Sequence, residues 1–281
     1  MIRIITDSAA DFEPWELEKL HITCIPLVVM FGEEEYRENV NLTKTRFYEL
    51  LEESDTLPKT AQASPQLLLE LFEDAKKQGD DAIYICLSSA LSGTCQSALM
   101  TKELVGSDRC HVVDSLNGTG GQRMIVEYAV ELRDAGKTAP EIVAAIEALR
   151  NRVTLFACMD TLENLYRGGR ISQSVYTIGT MVQIKPIIQV NTLGQVVVPA
   201  KAIGMKKGVD YLCRQVEKTQ PDPAFPFYVM YTDKRANGEN LAARFRSMGY
   251  DIPDSHIIQV GAAIGTHIGA NAIGYVYIAK E

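Results

Sequence analysis

Residues 82–94 read Ala82-Ile83-Tyr84-Ile85-Cys86-Leu87-Ser88-Ser89-Ala90-Leu91-Ser92-Gly93-Thr94. The first six are apolar and form a run of strand length, followed by small polar residues and then a helix expected from about Gly93. Strand, polar turn and helix in that order form the repeating unit of a parallel α/β sheet. The same rhythm extends on both sides. Ile2–Thr6 is an apolar run ending in Asp7-Ser8, Ile25–Phe31 is another, and Cys110–Val113 a third. Ser64-Pro65 opens a helix through Leu67–Phe72, with a capping serine, a proline suited to the first turn, and Gly79 to close it. Thr138 and Glu141 stand at capping-box spacing, and Ile142, Val143, Ile146 and Leu149 share one helical face.

Beyond residue 152 the pattern changes. Val153–Met159, Ile184–Val190, Gln195–Pro199, Phe227–Thr232, Ile257–Val260 and Tyr275–Ala279 read as strands, and Asn191-Thr192-Leu193-Gly194 is a hairpin signal. The expectation is an α/β protein of two domains. Residues 1–152 form an N-terminal α/β domain with a largely parallel sheet, and 153–281 a C-terminal α+β domain with a mostly antiparallel sheet.

Composition narrows the function. The chain has 281 residues, 46% hydrophobic and 23% charged, enough to bury a core without metal or disulfide support. Its net charge of −8 and lack of a basic stripe argue against a nucleic-acid partner. The six cysteines (Cys24, Cys86, Cys95, Cys110, Cys158 and Cys213) form no C-x-x-C pair and read as reduced, buried small residues. The N-terminus reads as a first strand rather than a leader, and no apolar run approaches the ~20 residues of a membrane span. A cytoplasmic, soluble protein is expected.

Four segments concentrate small polar residues where strands end. Lys59-Thr60-Ala61-Gln62-Ala63-Ser64-Pro65 leads into one helix, and Leu87–Thr94 into another. The N-terminus of a helix suits an anion, and a serine there can donate to a carboxylate. Helix capping is the plainer reading of Ser92. In the third, residues 160–172, Arg167 and Arg170 could meet a phosphate or a partner's carboxylates, against the plain reading of a solvated helix end. The fourth, Gly265-Thr266-His267-Ile268-Gly269, sets one of four histidines among glycines that permit close backbone approach. Asp7 and Asp114 at strand ends read as turn caps. No Walker loop, G-x-G-x-x-G, H-E-x-x-H or G-x-S-x-G occurs.

Taken together, the segments are far more specific than any one alone. Ile-Ile-Thr-Asp-Ser-Ala-Ala-Asp at the start, Lys-Thr-Ala-Gln-Ala-Ser at 59–64 and Leu-Ser-Ser-Ala-Leu-Ser-Gly-Thr at 87–94 resemble the DegV family. Val-Val-Asp-Ser at 112–115, Arg-Gly-Gly-Arg-Ile-Ser at 167–172, Ile-Lys-Pro-Ile-Ile at 184–188 and Gly-Thr-His-Ile-Gly at 265–269 continue the match in order. The resemblance implies a long-chain fatty acid held in an apolar tunnel between two domains. It also implies a role as the lipid-presenting subunit of a bacterial fatty acid kinase, whose separate ATP-binding subunit is similar to dihydroxyacetone kinases. By position it puts the carboxylate on Thr60 and Ser92, with Ser89 a nearby candidate, His267 near the head group, and Arg170 at the partner or phosphoryl. It implies no catalytic residue, metal or cofactor in this chain. Three stretches depart from the family pattern. Thr-Ser-Gln-Pro-Ser is here Thr60-Ala61-Gln62-Ala63-Ser64, Gly-Pro-Gly is Gly269-Ala270-Asn271, and Ile203 and Met205 stand where arginines are frequent. Two other readings remain open: a lipid sensor that joins no kinase, and a stand-alone enzyme acting on a small carboxylate.

Overall fold

The computed structural model describes residues 1–177 and 183–281. In chain order the first part comprises β1 (Ile2–Asp7), α1 (Pro14–Lys19), β2 (Ile22–Ile25), β3 (Val28–Phe31), β4 (Glu34–Arg37), α2 (Lys44–Glu53) and β5 (Lys59–Ala61). It continues with α3 (Pro65–Gln78), β6 (Asp81–Cys86), α4 (Thr94–Val105), β7 (Cys110–Asp114), α5 (Thr119–Asp134) and α6 (Ala139–Leu149). The order β2-β1-β6-β7 makes a four-stranded, wholly parallel sheet. After Asp81, strand β6 is apolar from Ala82 to Cys86 because both of its faces are covered. Ala82, Tyr84 and Cys86 pack with Leu68, Phe72 and Ala98 of α3 and α4. Ile83 and Ile85 pack with Ile125, Ala129, Ile142 and Ile146 of α5 and α6.

One expectation is corrected here. Ile25–Phe31 is not a single strand: β2 ends at Ile25, and β3 belongs to a separate antiparallel sheet of order β4-β3-β5. Pro26 lacks the N–H that a continuing strand would need, and the chain changes sheet there. This small sheet is what positions Thr60, paired across from Val29.

The second part begins with β8 (Val153–Cys158), α7 (Glu163–Arg167), α8 (Gln173–Thr177), β9 (Ile184–Val190), β10 (Val196–Ile203) and α9 (Gly204–Lys218). There follow β11 (Tyr228–Tyr231), α10 (Arg235–Ser247), β12 (Ile257–Gln259), α11 (Ala262–Ile268) and β13 (Ile273–Ile278). The sheet order is β10-β9-β8-β13-β11-β12, antiparallel except for β11 beside β12. Asn191 makes the expected hairpin by accepting from the backbone N–H groups of Leu193 and Gln195, with Gly194 at a φ of 73°.

Alternation along β8 sorts the two faces of this sheet. Phe156 and Cys158 join the core against Leu212, Val216 and Phe245 of α9 and α10. Leu155 and Ala157 point the other way and line a cavity. Helix α11 leaves the second sheet and buries Ala263 among Leu27, Leu87 and Leu68 of the first part. Among the described residues, no helix is long and apolar enough to cross a membrane.

Candidate binding site

The cavity has a volume of about 250 Å³. Its walls are mostly apolar, from Leu27, Leu87 and Leu91 of the first part and Leu155, Ile188 and Ile268 of the second. Thr60, Gln62, Ser92, Arg170 and His267 also line it. Three of these, Thr60, Arg170 and His267, also line a second cavity of about 420 Å³ that Lys59, Arg167, Asn164 and Thr266 border. The shared residues therefore stand between an apolar space and a polar one.

Each of these residues is placed by a local rule. Ser64 caps α3 by accepting from the backbone N–H of Leu67, which holds the preceding Thr60–Ala63 segment in place. Ala63 donates its N–H to Thr94 Oγ1 at 3.3 Å, tying this segment to the start of α4. Ser92 Oγ accepts from the N–H of Thr94 at 3.3 Å and lies 2.9 Å from Thr94 Oγ1. The cap position of α4 is Gly93, so Ser92 does not cap the helix as expected; it closes a tight turn onto the first helical residue and lines the cavity. A Cβ on Gly93 would meet Gln62 Oε1 at 2.8 Å, the end of an exposed side chain that is able to swing aside.

Thr60 Oγ1 and His267 Nε2 are 2.8 Å apart, although 207 residues separate them in sequence. His267 Nδ1 is buried without a hydrogen-bond partner and faces Gly168, where a Cβ would meet it at 2.3 Å. Burial, with the charge of Arg170 adding to it, pushes the His267 imidazole down to about 4. The ring is neutral at pH 7. Assigning its proton to Nε2 makes the ring donate to Thr60 Oγ1 and leaves the threonine O–H free to donate into the cavity.

Arg170 donates through Nε to the Leu91 carbonyl at 3.0 Å and through Nη1 to the Gly168 carbonyl. Desolvation alone pushes this guanidinium below its ordinary value. Among the described residues no carboxylate forms an ion pair with it. Arg167, by contrast, pairs with Glu163 at 2.7 Å in an exposed i,i+4 bridge of small energetic weight. A half-buried cation without a protein counter-charge, beside two hydroxyls and a neutral histidine, is chemistry suited to a carboxylate or phosphate.

Of the four residues expected at the carboxylate, Thr60, Ser92 and His267 converge here, and Arg170, expected at the partner or phosphoryl, stands with them. Ser89 does not. It is exposed, absent from the cavity lining, and its N–H donates to Asp114 Oδ1 at 3.2 Å. Strand β6 has ended by that point, and the turn carries Ser89 outward. Gln62 joins the lining, as does Thr119, whose hydroxyl donates to Asp11 Oδ2. Gln62 lies within a segment the sequence singles out, whereas nothing local marks Thr119. Asp7 and Asp114 act as turn caps, accepting from the N–H groups of Ala9 and Leu116.

The histidine makes a pH prediction possible. In the unfolded chain its imidazole takes up a proton near 6.5, and in the fold only near 4. Stability from neutral His267 is therefore complete above pH 6.5 and is lost as pH falls through that window. Two buried carboxyls act oppositely: Glu38 is pushed up to about 7 and Asp11 to about 6, mainly by desolvation. Urea titrations of the wild type and His267→Gln between pH 4 and 7 should differ by a slope of at most one proton, the variant losing less stability on acidification. Identical slopes would mean that the ring is solvated in the fold.

Fold and site together define a two-part α/β protein built around an apolar cavity with one polar end. The chain belongs to the DegV family: a family model described as an uncharacterised protein of that family matches residues 1–280. A DegV domain-containing protein of Caldanaerobacter subterraneus is 34% identical, with 99% of each chain covered. A structure described as fatty acid binding of a DegV family protein from Thermus thermophilus superposes with a TM-score of 0.89 at 26% identity over 99% of each chain. Bacillus subtilis DegV, described as a fatty acid binding protein, superposes with a TM-score of 0.84 at 28% identity, again over 99% of each.

Proposed function

We propose that this protein binds one long-chain fatty acid, with the acyl chain in the apolar cavity and the carboxylate at the Thr60–Ser92–His267–Arg170 end. The observation that carries the reading is the arrangement of that end: hydroxyl donors and an arginine without a protein counter-charge close off an otherwise apolar space. The description of similar structures as fatty acid binding agrees with it. Burying about 15 methylenes at ~0.8 kcal/mol each yields a gross ~12 kcal/mol, from which ordering costs subtract. The acyl chain supplies the affinity, and the hydroxyls set its direction. On this reading the chain divides at 152/153 into two domains with the ligand between them.

The finer reading is a non-catalytic subunit that presents the carboxylate to a kinase-like, ATP-binding partner. The second cavity favours it, because it reaches the same Thr60, Arg170 and His267 from a polar side bordered by Lys59 and Arg167. A phosphoryl donor approaching there would meet positive charge. One observation favours the alternative of a lipid sensor without a kinase: Ile203, where the family often has arginine, is 73% exposed at the start of α9.

Native and denaturing mass spectrometry of purified protein tests the first reading. The expected result is one long-chain fatty acid per chain, retained on purification or taken up from added palmitate. A protein that stays empty in both cases would overturn it. Capture of a kinase-like subunit, followed by ATP-dependent formation of acyl phosphate, separates presenter from sensor.

A further inference from the structure

Helix α11, which carries His267, has only seven residues and no side-chain cap of its own. A helix this short does not hold itself together in water, so its position depends on what anchors it. Its N-terminal end is anchored by two carboxylates from the first part of the chain. Glu38 Oε1 accepts from the N–H groups of Ala262 and Ala263, and its Oε2 accepts from Ser8 Oγ at 2.7 Å. Asp11 Oδ1 accepts from the N–H of Gly261 at 2.9 Å. Both acids are 1% exposed. Lys44 donates to the Asp11 carbonyl and to Glu13, which leaves the two carboxylates facing the helix end. The approach is so close that a Cβ on Gly261 would meet Glu38 Oε1 at 2.2 Å and Asp11 Oδ1 at 2.8 Å.

His267 lies five residues further along, about 7.5 Å at 1.5 Å per residue. Its ring must meet Thr60 Oγ1 on β5 while packing against Gly168. Any shift of the helix end moves that ring with it.

We infer that Glu38 is a positioning residue for the head-group site, setting through α11 the contact between His267 and Thr60. The ligand role of that contact rests on the fatty-acid reading, but its geometry does not. A buried carboxylate is costly to desolvate, and one capping serine would satisfy a helix end more cheaply. Glu38 brings what a serine cannot: a rigid, multiply bonded acceptor fixed to the segment that follows β4, in the same small sheet as Thr60.

The experiment uses the full chain, ligand-free, with ¹⁵N-labelled histidine; the His267 ring signals are assigned by their loss in His267→Gln. In wild type the expected result is a proton on Nε2 and none on Nδ1. Glu38→Gln, which keeps an acceptor oxygen, preserves this pattern and holds palmitate affinity within about threefold. Glu38→Ala, Glu38→Asp (one methylene too short) and Gly261→Ala shift or broaden the His267 signals and weaken palmitate at least tenfold. Phe245→Leu, in the remote core, destabilises the fold to urea without moving the His267 signals. Should Glu38→Ala fail to fold, the Asp and Gly261→Ala variants decide. Unchanged His267 signals in those folded variants would overturn the inference, as would a Glu38→Gln as damaged as alanine. A wild type that takes up no palmitate would overturn the ligand reading alone, since the ring signals still test the positioning.

Discussion

Ala157→Phe is expected to abolish retention of long-chain acids while leaving the protein folded. Ala157 lies on β8 with its side chain on the cavity face, beside Leu165, Ile188 and Ala272. Because Ala157 lines the cavity as well as packing in the core, a phenyl ring there is expected to cost about 1–3 kcal/mol of overpacking, small enough to leave the protein folded. What it removes is room for the acyl chain. Displacing even four methylenes forgoes about 3 kcal/mol of burial, on the order of a hundredfold in affinity. The measurement is palmitate and octanoate binding to wild type and variant, with a urea midpoint as the control for folding. Palmitate should suffer far more than octanoate. Unchanged palmitate binding would place the acyl chain elsewhere, and equal losses for both acids would place Ala157 against the carbons they share.

Thr60→Val is expected to weaken palmitate binding about 10- to 100-fold and to cost about 1–3 kcal/mol of fold stability, because it leaves the buried His267 Nε2 without its partner. Valine keeps the shape and β-branching that suit β5. It deletes the oxygen that stands 2.8 Å from His267 Nε2 and that, on the proposed reading, donates to the carboxylate. A hydrogen bond to a charged group is worth about 1.5–3 kcal/mol, which gives that range. The fatty alcohol of the same length separates the two roles. Its binding should respond far less than palmitate's, because it presents no charge. If both ligands respond alike, the threonine shapes the cavity rather than reading the carboxylate.

How far the site could be read from sequence varies residue by residue. Thr60, Ser92, His267 and Arg170 stand in short segments whose turn and cap chemistry shows without a structure, and the order of those segments along the chain carries the family resemblance. Ser89 sits in the same run as Ser92, yet the two face opposite ways, because which side of a turn looks inward depends on what packs above it. Thr119 and Glu38 have no local signature, and Asp11, the last residue of the opening motif, gives no local sign of its partner. Each matters through a partner at least 100 residues away: Thr119 Oγ1 on Asp11, Asp11 on Gly261, and Glu38 on Ala262.

The sequence by itself determined the elements and their class. The apolar run of β6, the capped starts of α3 and α6 and the Asn191–Gly194 hairpin are local choices governed by backbone sterics and side-chain hydrogen bonds within a few residues. It left the small sheet β4-β3-β5 unread, because Glu34-Glu35-Tyr36-Arg37 and Lys59-Thr60-Ala61 are too short and too polar to show alternation. Only the tertiary structure decided where the cavity lies and which residues meet at its polar end. Thr60 meets His267 because β5 and α11 are brought together by buried carboxylates and by side chains packed across the two halves. Those contacts follow from long-range packing, and no local propensity encodes them.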